Sequence, residues 1–193
     1  MSTEVAALAA MLEESGALRR GHFLLSSGLH SPAYVQCALL LESPARARRV
    51  GEELAALLAP FRPDSVLSPA LGGVIVGHET AAALGVPFRF TERQGEAMEL
   101  RRGFELAAGE RVVMVEDVIT TGRSTRETIA VAEARGARPV AVGAIIDRSG
   151  GRHGFPVPLV ALTTLDLPTY PPDACPLCRA GGAVEKPGSR PGR

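Results

Sequence analysis

The stretch VVMVEDVITTGRST, Val112 to Thr125, places side chains that can hold a sugar next to a backbone turn that can hold an anion. An apolar run, Val112 to Val115, leads straight into two acids, Glu116 and Asp117. Val118 and Ile119 follow, then a turn of small residues, Thr120-Thr121-Gly122, and then Arg123 and a helix expected to begin near Ser124. The first N–H groups of a helix have no partner within it, and its dipole favours negative charge there. Gly122 lets a backbone approach a ligand closely, and the hydroxyls of Thr120, Thr121, Ser124 and Thr125 add donors. That half reads as a phosphate cradle. The two carboxylates would repel a phosphate, but they suit vicinal sugar hydroxyls, which donate to carboxylates in charge-assisted bonds. A ribose 5-phosphate moiety presents both features. The same spacing also fits a plain strand–turn–helix with Glu116 and Asp117 as solvated turn acids, so spacing alone leaves both readings open. Neither a GxxxxGK[ST] loop nor a GxGxxG fingerprint occurs, which excludes the usual nucleoside-triphosphate and dinucleotide cradles.

The elements that must position this turn are legible in the apolar periodicity. Helical spacing runs over residues 4–18, through Val5, Leu8, Met11, Leu12 and Leu18. GHFLLSSGLHSPAYVQCALL then reads as a hairpin around Ser-Ser-Gly. Ser43-Pro44 starts a helix to about Leu58, with Val50, Leu54, Leu57 and Leu58 expected to face inward. SVLSP reads as a buried strand, Gly72 to Leu84 as a helix and VPFRFTE as a strand. ERQGEAMELRRGF reads as a charged loop leading into a hairpin strand. RVVMVED (strand), Ser124 to Arg135 (helix) and PVAVGAII (strand) complete the pattern. Strands alternating with helices predict an α/β fold with a mostly parallel sheet flanked by helices. Ligands of such sheets bind beyond the C-terminal strand ends, where the turn after Val115 falls. A single domain is expected, with an N-terminal helix-and-hairpin hood plus helix over 1–63, a core over 64–170 and a tail over 171–193. The end of the Gly- and Pro-rich tail from Gly181 is expected to be mobile.

The 193 residues carry 21 basic and 21 acidic side chains, a formal charge of zero. That balance argues against a chain whose main task is binding nucleic acid or an anionic membrane. No apolar run reaches a membrane span and the N-terminus has no basic leader, so a soluble cytoplasmic protein is expected. All basic residues but Lys186 are arginine, so any mechanism needing a lysine in the first 185 residues is excluded. Asparagine is absent, which suits either heat tolerance or a coding bias. Cys175-Pro-Leu-Cys178 has the spacing of a metal knuckle or redox pair. With no second CxxC or Cys-His pair beside it, that pair alone does not close a tetrahedral zinc site, and no protein-held metal is expected. His22, His30 and His153 are expected in loops or turns at the surface, Cys37 in the core, and Arg101 and Arg102 on a solvated face. HETAA at His78 lacks the second histidine of HExxH.

Val112 to Thr125 resembles the binding motif for 5-phosphoribosyl 1-diphosphate (PRPP) in type I phosphoribosyltransferases, with Arg123 where a small residue is common. Nearly the whole chain resembles the orotate phosphoribosyltransferase family. The likeness runs through GHFLLSSGLHSPAYVQ, PALGGVIVGHETAAALG, ERQGEAMELRRGF, IIDRSGG and CPLCRAGGAVEKPGSR, in that order. The resemblance implies a phosphoribosyltransferase core with an N-terminal hood and transfer from PRPP to orotate. It gives orotidine 5′-monophosphate and pyrophosphate, in pyrimidine synthesis. It implies that Glu116 and Asp117 hold the ribose hydroxyls, that Thr120, Thr121, Gly122, Arg123 and Ser124 hold the 5-phosphate, and that Val118 and Ile119 between them belong to the same PRPP-binding stretch. Arg93 would meet phosphate and pyrophosphate from a mobile loop, and it joins Glu116 and Asp117 as a catalytic candidate. Ser26, Tyr34, Val35, Thr120 and Arg148 would face orotate, the arginine suiting a planar anion. Mg²⁺ would come mainly through PRPP and water, and a homodimer would complete each site. A purine phosphoribosyltransferase and a PRPP-sensing regulator that binds nucleic acid are the alternatives. The hood and Arg148 weigh against the first; the neutral charge weighs against the second.

Three departures from the family pattern bear on the site. Ser26 stands where many relatives have lysine, Gly72 where many have a pyrophosphate-contacting lysine, and the loop 92–103 is short and lysine-free. Orotate is already an anion and needs no strong base. Placement of the reactants and neutralisation of the leaving pyrophosphate can therefore serve without those lysines.

Overall fold

A computed structural model describes residues 3–25 and 27–187. By internal contacts the chain forms two compact units, residues 1–40 with 166–193, and residues 41–165.

In the first unit, helix α1 (Thr3–Glu14) precedes strands β1 (Leu18–Leu24) and β2 (His30–Val35). The two strands form the expected antiparallel hairpin, pairing from Leu18 with Val35 to Leu24 with His30. A bulge between Arg20 and Phe23 breaks the register. The extra residue disturbs the in–out alternation, and His22 and Phe23 are buried in succession. His22 and His30 thus lie buried within strands, correcting the expectation of surface turns. The chain returns through a 3₁₀ turn, Pro172–Ala174, and the short helix α6 (Pro176–Arg179). Backbone bonds Leu24 N–H to Glu185 O and Glu185 N–H to His22 O, both 2.8 Å, tie the tail to β1. The tail is therefore fixed at least as far as Glu185.

Helix α2 (Cys37–Leu41) leads into the second unit, which holds helix α3 (Pro44–Leu58), strand β3 (Ser65–Pro69), helix α4 (Gly72–Leu84) and strands β4 (Phe88–Gln94) and β5 (Ala97–Leu100). Strand β6 (Arg111–Ile119), helix α5 (Arg123–Ala134) and strands β7 (Arg138–Asp147) and β8 (Leu159–Thr164) follow. The sheet order is β5-β4-β3-β6-β7-β8. Every neighbouring pair is parallel except β4 with β5. This is the mostly parallel α/β sheet that the sequence predicts.

Strands β3 and β6 sit centrally, and their apolar runs are buried on both faces because helices cover both. Val112 and Met114 of β6 pack with Ile129 and Ala132 of α5. On the other face lie α3 and α4, which pack on each other. Val50, Leu54 and Leu58 of α3 are fully buried, whereas Leu57 is 40% exposed, correcting its inward assignment. The buried arc is centred between Ala47 and Leu58. At about 100° per residue Leu57 falls roughly a quarter-turn off that centre.

The stretch 92–103 is less of a loop than expected. Strand β4 continues to Gln94, Gly95 and Glu96 turn the chain, and β5 pairs back from Gln94 with Ala97 to Thr91 with Leu100. Met98 and Leu100 are buried while Ala97 and Glu99 are exposed, the alternation of a strand covered on one face. Arg102 pairs through both its Nε and Nη2 with Glu92, at 2.7 and 2.8 Å, on the solvated side as expected. No helix among the described residues is long and apolar enough to cross a membrane.

Candidate functional site

Strand β6 extends past its apolar run to Ile119, so Glu116 and Asp117 belong to the strand and not to a turn after it. The register holds them there, with Glu116 opposite Ala144 and Ile119 opposite Asp147 of β7. Glu116 is only 9% exposed, which removes the reading of solvated turn acids. Burial, and then the neighbouring Asp117 charge, push the Glu116 carboxyl well above the usual carboxylate range. Burial also raises Asp117, against the hydrogen bond from Val118 N–H to its Oδ1 at 2.7 Å. Two crowded carboxylates with no basic partner among the described residues are poised to accept from ligand hydroxyls or to meet a cation.

The approach of α4 crowds them further. A Cβ on Gly72 would stand 2.8 Å from both carboxylate oxygens of Asp117. One on Gly73 would stand 2.7 Å from the Val115 carbonyl and 3.2 Å from Glu116 Oε1. The missing lysine at position 72 thus reflects geometry, since no side chain fits there while Asp117 keeps its place. A cis peptide joins Ala70 to Leu71 just before this helix.

Beyond β6 the cleft is lined by Glu116 and by Val118 through Thr125. Gly122 is the N-cap of α5 at φ 70°, a left-handed conformation that favours glycine. A Cβ there would also strike the Phe155 ring at 2.8 Å. Arg126 Nη1 donates to Thr121 O at 2.7 Å and also to His153 O, tying the 153–155 segment to the turn. The N-cap Gly122 supplies no side-chain cap, and Arg123 N–H reaches only Thr121 Oγ1 at 3.4 Å, so the start of α5 can still receive an anion.

Arg93 lies on β4 rather than in an open loop. Its guanidinium donates to Glu96 O at 2.7 Å and to the Glu127 carboxylate of α5. Glu127 also accepts from Arg123 Nε at 2.9 Å. Burial tends to raise the Glu127 carboxyl, but the bonds from Arg123 and Arg93 outweigh it and hold the group low. Arg93 and Arg123 are thereby joined through one acid beside the cleft.

Arg148 follows the end of β7, and its backbone N–H donates to Ile119 O at 2.8 Å, setting it alongside the end of β6. Its Nε is buried and has no partner, and burial pulls the guanidinium below its ordinary pKa. A buried donor without an acceptor is rare in folded proteins, and among the described residues the Arg148 Nε has none, so it can take a ligand oxygen as its partner.

The second unit therefore brings together Glu116, Asp117, the 118–124 turn, Arg93 and Arg148. Tyr34 and Val35 belong to β2 of the first unit, where the Tyr34 hydroxyl donates to Gln36 Oε1 at 3.2 Å. Ser26 lies outside the described residues. Sequence reasoning missed the steric role of Gly72 and Gly73 against the carboxylates, although the paired glycines at a strand-to-helix junction were a visible signal. It also missed Glu127, which reads as an ordinary charge on a helix face.

Residues 36–153 match the family model of the phosphoribosyl transferase domain. The chain is 52% identical over 180 residues to the orotate phosphoribosyltransferase of Thermotoga maritima, covering 93% of this chain and 96% of that protein. It is 49% identical over 177 residues to the orotate phosphoribosyltransferase of Thermus thermophilus, covering 91% and 97%. The crystal structure of orotate phosphoribosyltransferase from Aeropyrum pernix is similar at a TM-score of 0.70 and 29% identity, covering 82% of this chain and 93% of that one.

Proposed function

From the premise that this chain belongs to the orotate phosphoribosyltransferase family of type I phosphoribosyltransferases, we propose that it transfers the 5-phosphoribosyl group of PRPP to orotate. The products are orotidine 5′-monophosphate and pyrophosphate. The observation that carries the choice of orotate is Arg148, whose Nε is buried without a partner next to the end of β6. A planar carboxylate or ring carbonyl of an acidic pyrimidine satisfies that donor. A neutral purine offers it no charge.

Glu116 and Asp117 accept from the ribose 2- and 3-hydroxyls, and their negative charge favours the positive charge that develops at the anomeric carbon as the diphosphate departs. The turn from Thr120 to Ser124 and the uncapped start of α5 hold the 5-phosphate. Orotate brings its own negative charge to the attack, so no residue need act as a strong base. Arg93 exchanges its Glu127 partner for pyrophosphate oxygens as they leave.

The Glu116 carboxylate in the cleft lining, with Asp117 next to it on β6, is a hard oxygen donor that fits a divalent cation such as Mg²⁺, which keeps much of its water shell. When bound with PRPP, that ion supplies neutralisation of the diphosphate; Glu116 and Asp117 would hold it through its waters. A homodimer, implied by the sequence resemblance, belongs to the same reading.

The test is loss of orotate absorbance with PRPP and Mg²⁺, run beside adenine, hypoxanthine and uracil. Turnover confined to orotate supports the reading. Turnover of a purine instead assigns the other branch of the fold, and PRPP binding without turnover of any base would refute the enzyme assignment.

A further inference from the structure

The first unit contains a cluster that the transferase reading does not use. His22 of β1, His30 of β2, Cys175 and Cys178 offer one ligand atom each, and the four atoms lie within 4.8 Å of one another. His22 Nε2 is 2.8 Å from His30 Nδ1, 3.6 Å from Cys175 Sγ and 3.7 Å from Cys178 Sγ. Cys178 Sγ is 3.3 Å from His30 Nδ1.

These separations are the edges of a small tetrahedron. With Zn–S bonds of about 2.3 Å and Zn–N bonds of about 2.0–2.1 Å, tetrahedral geometry sets N and S roughly 3.5 Å apart and two N atoms roughly 3.3 Å apart. The three N–S distances fall around the first value; the two ring nitrogens must part by about half an ångström. Two thiols with two imidazoles is a donor set that suits zinc and other borderline-soft ions over Mg²⁺ or Ca²⁺.

The surroundings already orient the ligands. His22 Nδ1 is 2.9 Å from Gly182 O, and an Nδ1–H donating there leaves Nε2 with its lone pair toward the cluster. The β1 bulge buries His22 beside Phe23, and the β2 register buries His30. Cys175 and Cys178 bracket the first turn of α6 and form no disulfide. Three of the four residues are buried, and Cys178 is exposed, which leaves a path for the ion.

We infer that His22, His30, Cys175 and Cys178 form a closed, structural Cys₂His₂ zinc site. All four positions are filled by protein, so the ion has no open position for substrate and acts as a cross-link. It fastens the returning segment that holds Cys175 and Cys178 onto the β1–β2 hairpin.

The test uses the untagged full chain, purified with reductant and zinc and then freed of loose metal. Elemental analysis is expected to find about one zinc per chain, released when a mercurial titrates the thiols. Less than about 0.1 zinc per chain would overturn the site. Replacement by Co²⁺ is expected to give the intense visible bands of tetrahedral cobalt and a thiolate charge-transfer band; a weak octahedral spectrum overturns it. Cys178→Ser, at the exposed ligand, is expected to lower zinc affinity at least about 100-fold against a competing chelator. Unchanged affinity in that variant refutes the ligand set, as does a Cys175–Cys178 disulfide in protein isolated without oxidant. Because the cobalt spectrum is read on the unaltered chain, a variant that fails to fold leaves the inference testable. None of these readouts is turnover, so failure here and failure of the transferase assignment are separate results.

Discussion

Substituting alanine at Gly72 and, separately, at Gly73 should divide activity from stability at adjacent positions. At Gly72 the added Cβ meets the two Asp117 oxygens at 2.8 Å and no backbone atom among its closest neighbours. A carboxylate at the end of a side chain can swing aside, losing the bond from Val118 N–H worth about 1 kcal/mol. Alanine returns up to about 1 kcal/mol in helix propensity, so the net change in stability is about zero. The displaced carboxylate has left the place where it must meet the ribose. A misplacement of about 1 Å costs on the order of 100-fold in rate. At Gly73 the added Cβ meets the Val115 carbonyl at 2.7 Å and Ser68 Cβ at 3.0 Å, both on central strands. Nothing there can swing away, so overpacking of about 1–3 kcal/mol is expected. That lowers Tm by roughly 2–12 °C for a chain of this size. The assay pairs calorimetric Tm with kcat/KM for orotate. If G72A keeps its kcat/KM, or loses as much Tm as G73A, the steric account of the carboxylate pair is wrong.

Glu116→Gln removes a buried charge whose carboxyl is raised by burial and by Asp117. A carboxyl raised in the fold makes the folded state less stable as pH climbs above its unfolded value of about 4.3. The variant should therefore gain about 0.5–2 kcal/mol at neutral pH while losing turnover. Its Tm advantage should grow from pH 4 upward and level off above the raised pKa; an advantage independent of pH contradicts this. Arg148→Met should cut kcat/KM for orotate about 10–150-fold, the worth of a charged hydrogen bond, with Tm unchanged or higher because the buried Nε has no partner to lose. A normal orotate KM and kcat in that variant would remove the residue from the site. Arg93→Ala should lower kcat about 10–100-fold, far more than it raises orotate KM. Unchanged kcat would leave Arg93 as only an ion-pair partner of Glu127.

Much of the core was legible because central parallel strands are covered on both faces and therefore read as unbroken apolar runs, as in Val112 to Val115. The cleft was legible for a related reason, since Glu116, Asp117 and Thr120 to Ser124 are contiguous. Strand β8, Leu159–Thr164, escaped because its residues are half-buried at an edge and no helix precedes it. The hairpin strand after Glu92 is expected, but its start reads as loop because the cross-strand pair Glu92 and Glu99 puts charge on the open face of an edge pair. Leu57 shows the limit of periodicity, which fixes a stripe but not its centre. His22 and His30 show another limit. Cys175 lies 153 positions from His22, and the pairings of Tyr170 with His30 and of Glu185 with β1 bring such distant residues together.

The first unit is assembled from both ends of the chain, residues 1–40 and 166–193, with the whole second unit between them. During synthesis the β1–β2 hairpin emerges first and then waits for roughly 125 residues to be made. At about 5–20 residues per second that delay is some 6–25 s. A two-stranded hairpin is barely stable on its own, and the returning segment that pairs with it through Tyr170 and Glu185 is the last part of the first unit to be made. The order of birth and the order of completion are thus reversed. A circular permutant opened after α2, between Glu42 and Ser43, with the present ends joined, would abolish the wait.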